Sequence, residues 1–141
     1  MADKLELKAL VVLMRASQTV NEVIKRDMEK YGVNSTEFAV LELLYHKGDQ
    51  PIQHIGRKIL LASSSITYVV DKLEEKGLII RKACPNDRRV THASLTEKGR
   101  EFMDGVFPMH EDTIKDMFSC LSADELETAI SLLKKIGLHN K

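Results

Sequence analysis

The sequence predicts a mainly α-helical chain with a small β-hairpin, and three observations carry that prediction. Ile66, Val69, Val70 and Leu73 fall at i, i+3, i+4 and i+7, one apolar stripe of an amphipathic helix. Two short β-prone runs follow, residues 78–82 and 90–95, around a loop with Pro85-Asn86-Asp87 as its turn signal and Arg88-Arg89 at its exit. Helical periodicity fills the chain on both sides of this unit. Helix, hairpin and basic hairpin tip make a winged helix-turn-helix, which puts one element in the major groove of DNA and another in a neighbouring groove.

Bulk properties narrow the class. A chain of 141 residues is expected to form a single domain with helical extensions. It has no Trp and only seven aromatic residues, so its core must be aliphatic and rich in Met. No apolar run approaches the ~20 residues that span a bilayer, and the start MADKLELK lacks the order of a signal peptide. The chain is therefore expected to be cytoplasmic, with no membrane partner. Cys84 and Cys120 lie far apart with no second Cys or His at ligand spacing, so neither a metal site nor a structural disulfide is expected. Nor is a cofactor.

Net charge is zero, but its distribution is not even. Residues 1–52 hold seven Lys/Arg against eight Asp/Glu, and residues 101–141 hold four against eight. Residues 53–100 hold ten against five. A basic middle between acidic ends suits a DNA-reading lobe on a scaffold that does not touch DNA. A merely solvated charged surface is the plainer explanation until the wing is counted.

Taken in order, residues 3–31 read as one long helix, with Leu10, Leu13, Met14, Ser17, Val20, Ile24 and Met28 at three- and four-residue steps. Leu5, Leu7, Val11, Val12 and Val23 widen the stripe to a second apolar face. That suggests a subunit contact, with an ordinary core helix as the alternative. Asn34 is a good N-cap for the second helix, Glu37 completes a capping box, and Val33 can staple onto Phe38. Gly48 ends it. Pro51 suits the first turn of a third helix, and Leu61–Ser63 is the turn of the helix–turn–helix. Gly77 stops the recognition helix. Thr96 caps the next helix, which Pro108 should kink or break. Ser122 and Glu125 form a capping box for a last helix with Leu126, Ile130, Leu133 and Ile136 on one face. Residues 33–99 are thus expected to form the DNA-binding lobe, and residues 1–31 and 100–141 the dimerisation helices.

Candidate DNA contacts follow from residue type and place. Ser64, Ser65, Thr67 and Tyr68 sit at the start of the recognition helix, where hydroxyls and N–H groups can bind phosphate or meet base edges. One of the serines is expected to act only as a cap. Lys72, one turn beyond Tyr68, suits a phosphate, as do Gln53 and Arg57 on the third helix. His54 beside them is a further candidate, with an ordinary surface histidine as the plainer reading. In the wing, Arg88 and Arg89 suit the enhanced negative potential of a narrow minor groove.

The run DKLEEKGLIIRKACPNDRRVTHASLTEKG resembles the signature of the MarR family of bacterial transcriptional regulators. The matches are Leu73, Glu74, Gly77, Leu78, Ile79, Arg81, Asp87, Arg88, Arg89, Leu95, Thr96 and Gly99, and the flanking helices fit as well. The resemblance implies a homodimer that binds double-stranded DNA at a pseudo-palindromic operator, most often as a repressor. It implies that one wing arginine enters the groove while Asp87 pairs with the other, or with backbone, to hold the loop. The stretches NSTEFAVLELLYHKG and PIQHIGRKILLASSSITYVVDKLEEKG look similar to a branch linked to phenol and quinone stress. A small aromatic effector would suit an aliphatic, Met-rich junction of the first, second and fifth helices. Cys84, near Arg81, Lys82 and the wing arginines, is a candidate electrophile sensor, since cations favour the thiolate. Two inert thiols and no ligand remain the plain alternative. A protein-binding winged helix is opposed by Arg88-Arg89 and the central charge surplus. A thiol enzyme lacks a nearby His or a phosphate loop, so no enzymatic activity is expected.

Overall fold

A computed structural model describes residues 4–59 and 63–141. The elements run α1 (Leu5–Glu29), α2 (Ser35–Lys47), β1 (Gln50–Pro51), α3 (Ile52–Lys58), α4 (Ser63–Glu75), β2 (Ile79–Ala83), β3 (Thr91–Leu95), α5 (Glu97–Met117) and α6 (Ala123–His139). This is a winged helix-turn-helix with long helices at both ends. The chain divides into two compact units between Phe107 and Pro108.

In the first unit, helix ends are set by local chemistry. Glu37 N–H donates to Asn34 Oδ1 at 2.7 Å and Asn34 N–H donates to Glu37 Oε1 at 2.9 Å, a complete capping box. Val33 and Phe38, the staple pair, are both buried. At the other end of α4, Gly77 takes φ 76°. Its N–H donates to the Glu74 carbonyl at 2.9 Å, and Leu78 N–H donates to the Leu73 carbonyl at 3.1 Å. That pair of bonds is the Schellman motif, and buried Leu73 and Leu78 supply the apolar contact that accompanies it. The helix end therefore aims the chain straight into β2.

The sheet holds one strand more than the expected hairpin. β2 and β3 pair antiparallel from Ile79↔Leu95 to Ala83↔Thr91, and β1 adds to the far side of β3 through Gln50↔Ala93 and Pro51↔His92. Two residues carry no alternation, so no sequence pattern could show β1. Pro51 fits there because an edge position does not require its missing N–H. The expected turn at Leu61–Ser63 falls mostly outside the described residues, and Ser63 is already the first residue of α4. The core gathers α2, α3, α4 and the sheet around Leu41, Leu44, Ile55, Val70, Leu73 and Ile79, with Met28 and Met103 completely buried from either side.

Thr96 opens α5, its Oγ1 accepting from Gly99 N–H at 2.9 Å and donating to the Gly77 carbonyl at 2.6 Å. Of the kink or break expected at Pro108, the break does not occur: α5 continues to Met117. Proline withdraws one N–H, and the turns on each side retain helical geometry, so the loss stays local. In the second unit, Ser122 and Glu125 form the capping box of α6, with bonds of 2.9 and 3.1 Å. Hydrogen bonds from the Ser122 backbone and side chain hold the Glu125 carboxyl below its ordinary pKa.

The terminal helices bury little. Only Asp27 and Met28 of α1 are buried, and no residue of α6 is. Met14 is 61% exposed and Leu133 51% exposed, large apolar side chains left in water. α1 is thus no ordinary core helix in its first half.

Candidate nucleic-acid interface

The recognition helix α4 is sorted cleanly by its period. Ile66, Val69, Val70 and Leu73 are buried, whereas Ser65, Thr67 and Tyr68 are exposed. Tyr68 keeps 63% of its surface in water, a large aromatic that the fold does not use. Lys72 Nζ lies 5.5 Å from the Tyr68 ring centroid, within cation–π range, and 3.7 Å from Glu75. Ser64 lies in the first turn, and its side chain falls outside the described structure. That turn carries no acidic residue, so no carboxylate within it offsets the positive end of the helix dipole. On α3, Ile55 and Gly56 face the core while Gln53, His54 and Arg57 are exposed.

The wing tip is organised by Asp87. Its Oδ1 accepts from Arg89 N–H at 3.0 Å and Nε at 3.1 Å, and its Oδ2 accepts from the terminal guanidinium nitrogen at 3.3 Å. The Arg89 side chain and backbone together hold the Asp87 carboxyl below its ordinary pKa. Val90 N–H donates to the Asp87 carbonyl at 3.0 Å, and Cys84 N–H to the Val90 carbonyl at 2.9 Å, which closes the loop. Asp87 therefore engages both the side chain and the backbone of one arginine. Arg88 is exposed, and no ion pair engages it among the described residues.

Two cross-element ties went unread in the sequence. Arg81 on β2 reaches back to α4, donating to Asp71 Oδ1 at 2.5 Å and Glu74 Oε1 at 2.6 Å. Its partial burial lowers the guanidinium pKa, and the two carboxylates more than reverse this, so the net shift is upward. Lys76, at the end of α4, donates to both oxygens of buried Glu37 and to the Gly32 carbonyl, each at 3.0 Å. Glu37 and Lys76 are 39 positions apart, so no local spacing marks the pair. Arg81 carried a signal, standing four residues past Gly77, but its partners depend on how the chain reverses there.

Elsewhere, Tyr45 Oη on α2 donates to Asp104 Oδ1 on α5 at 2.5 Å, beside a His46–Phe107 edge contact of 4.7 Å. Cys84 is half-buried in the wing, and Cys120, between α5 and α6, is exposed; both are free thiols. Among the described residues no group of three His, Cys, Asp or Glu could hold a metal ion, and no helix is long and apolar enough to cross a membrane.

Known proteins share this arrangement. The MarR family pattern matches residues 33–91. The chain is 57% identical over 135 residues to the HTH-type transcriptional regulator MhqR of Bacillus subtilis (strain 168), covering 96% of this chain and 93% of that protein. It is 33% identical over 111 residues to the transcriptional repressor MprA of Escherichia coli (strain K12), covering 77% and 63%. Among solved structures, AbsC of Streptomyces coelicolor, a MarR family regulator, superposes with a TM-score of 0.91 at 22% identity, covering 99% and 96%. Sco3205 of the same organism, solved in complex with DNA, gives 0.88 at 18% identity, covering 97% and 89%. The organohalide-sensing regulator RdhR in its 2,4-dichlorophenol-bound form gives 0.84 at 19% identity, covering 98% and 82%. These structural likenesses show a shared fold.

Proposed function

The chain belongs to the MarR family of DNA-binding transcriptional regulators, which are not enzymes, and on that premise we propose that it is a homodimeric repressor of a pseudo-palindromic operator. Release from DNA would come from a small aromatic or phenolic ligand or a thiol-reactive electrophile. The observation that carries the reading is a recognition helix with a bare polar face, on a chain whose end helices keep their apolar sides bare.

Residues 33–99 form the reading lobe in this account, and residues 1–31 and 100–141 supply the subunit contact. Leu5 through Met14 on α1, and Ile130, Leu133 and Ile136 on α6, are the surfaces that a second copy would cover. Ser64, Ser65, Thr67 and Tyr68 meet base edges and phosphates in the major groove, while Gln53, Arg57 and Lys72 meet phosphates. Arg88 enters the minor groove, and Asp87 holds Arg89 and the loop in place. The family includes a repressor by name, and a regulator of this fold binds 2,4-dichlorophenol, which supports the sign and ligand class proposed. The site of action is the cytoplasm, where the operator is.

Selection of bound fragments from a genomic DNA pool, paired with analytical sedimentation, tests this. Enrichment of a palindrome with half-sites one turn apart, roughly 10 bp centre to centre, is expected for a dimer. A micromolar monomer that binds one half-site would overturn it.

A further inference from the structure

The wing and the recognition helix are joined by one side chain. β2 leaves α4 through the Gly77 turn and would otherwise be anchored to it by main-chain bonds at the turn and by buried Leu78 and Ile79. Arg81 adds a second point of attachment further along the strand. Its guanidinium spans two carboxylates three residues apart on α4, Asp71 at 2.5 Å and Glu74 at 2.6 Å, and its own N–H adds a 3.4 Å bond to Glu74 Oε2. Such a fork fixes distance and direction together, which a flexible point charge cannot do. Asp71 and Glu74 lie on the half-exposed side of an element that must approach phosphates, where free carboxylates would repel.

We propose that Arg81 is a positioning residue for DNA binding, a brace that sets the wing against the recognition helix so that both engage DNA as one rigid unit. This rests on the wing reading above. In this role Arg81, with 29% of its side chain exposed and both terminal nitrogens donating to Asp71 and Glu74, acts through α4 and not on DNA. Without it the part of the hairpin beyond the β1 pairing at Ala93 and His92 is free to tilt against α4, and Arg88 arrives at the groove only as one orientation among many. The contacts made by α4 are retained.

A double-mutant cycle reads this directly. Operator affinity and its salt dependence are measured for wild type, Arg88→Ala, Arg81→Ala and the double variant, each first shown to unfold cooperatively at the wild-type protein concentration. Arg88→Ala is expected to weaken binding about tenfold and to flatten the slope of log K against log salt by about 0.9, one phosphate's share. Arg81→Ala should reproduce both effects although it removes no DNA contact, and the double variant should be no worse than either single one. Arg81→Lys, which can reach one carboxylate at a time, should recover only part of the loss. If Arg81→Ala does not fold, Asp71→Asn with Glu74→Gln breaks the same brace from the helix side. That pair should give the same loss, although it makes the protein less negative. Additive losses in the cycle, or wild-type affinity and slope without the brace, would overturn the proposal and leave the wing reading intact. No effect of Arg88→Ala would instead remove the wing reading, and the brace with it.

Discussion

Replacing Gly99 by Ala should destabilise the protein, against what helix propensity alone predicts. Gly99 sits in the first turn of α5, where Ala is normally favoured over Gly by about 1 kcal/mol. A Cβ placed there would stand 2.1 Å from the Leu78 carbonyl oxygen, and 3.0 Å from both the Leu78 carbonyl carbon and Leu95 Cδ2. The closest atom is backbone, so no rotamer change relieves the contact. That same oxygen accepts the Thr96 N–H bond of 3.1 Å at the base of the hairpin. Restoring ordinary contact requires a movement of about 1 Å, an overpacking cost of about 1–3 kcal/mol. It also loses a hydrogen bond worth about 1 kcal/mol. Set against the propensity gain, the net loss is about 2 kcal/mol, or about 4–8 °C in Tm at fixed protein concentration. Thermal unfolding followed by circular dichroism would measure it, with Gly105→Ala as the internal control. Gly105 has nothing within 4 Å of its Cβ position and should show the ordinary gain. A Gly99→Ala protein that melts at or above the wild-type temperature would refute the steric reasoning.

Other outcomes follow from the same contacts. Glu37→Gln keeps the N3 role of the capping box but leaves Lys76 without its carboxylate partner, so chemical denaturation should show a loss of about 1–2 kcal/mol; an unchanged midpoint would mean the tie is idle. Asp87 has a depressed pKa in the folded wing, so its stabilisation of the loop is complete above the ordinary value of about 3.9 and disappears as pH falls through the lowered one. NMR titration of the Asp87 carboxyl should therefore find a midpoint below the ordinary value, moving only part of the way back in Arg89→Ala, which keeps the backbone N–H bond to Asp87; an ordinary midpoint in the wild type would count against the Asp87–Arg89 pair. A benzoquinone titrated against operator binding should release wild type and Cys120→Ser more readily than Cys84→Ser, because Cys84 lies in the wing and Cys120 does not. Equal release of all three proteins would take the thiols out of the response.

Much of this fold was legible because its signals are local. The capping boxes at Asn34 and Ser122, the stop at Gly77, the cap at Thr96 and the stripe on α4 each depend on residues within a few positions, and each forms the structure that spacing requires. What was not legible depends on the chain returning to itself. β1 is two residues long and exists only because β3 passes beside it. Arg81 finds Asp71 and Glu74 across a reversal, and Lys76 finds Glu37 across most of the lobe. The possible break at Pro108 failed for the opposite reason: its local preference against helix interiors is real, but α5 forms through it. In the site, residue types pointed to DNA for α3, α4 and the wing. Which wing arginine the loop keeps for itself required coordinates: Arg89 is held by Asp87, and Arg88 is not.

The one-sided burial of α4 also bears on how such a regulator changes over time. Ile66, Val70 and Leu73 lie almost wholly inside the fold, and a substitution there costs the several kcal/mol typical of a core cavity. Ser65 and Tyr68 point away from it, where surface replacements are usually worth within about 0.5 kcal/mol. The residues that would read a sequence in the proposed interface are therefore nearly free to drift, while those that keep the helix in place are not. A duplicated copy can acquire a new operator by exchanging a few outward side chains, without passing through an unfolded intermediate variant. Families of such regulators can multiply within one genome on a single unaltered scaffold.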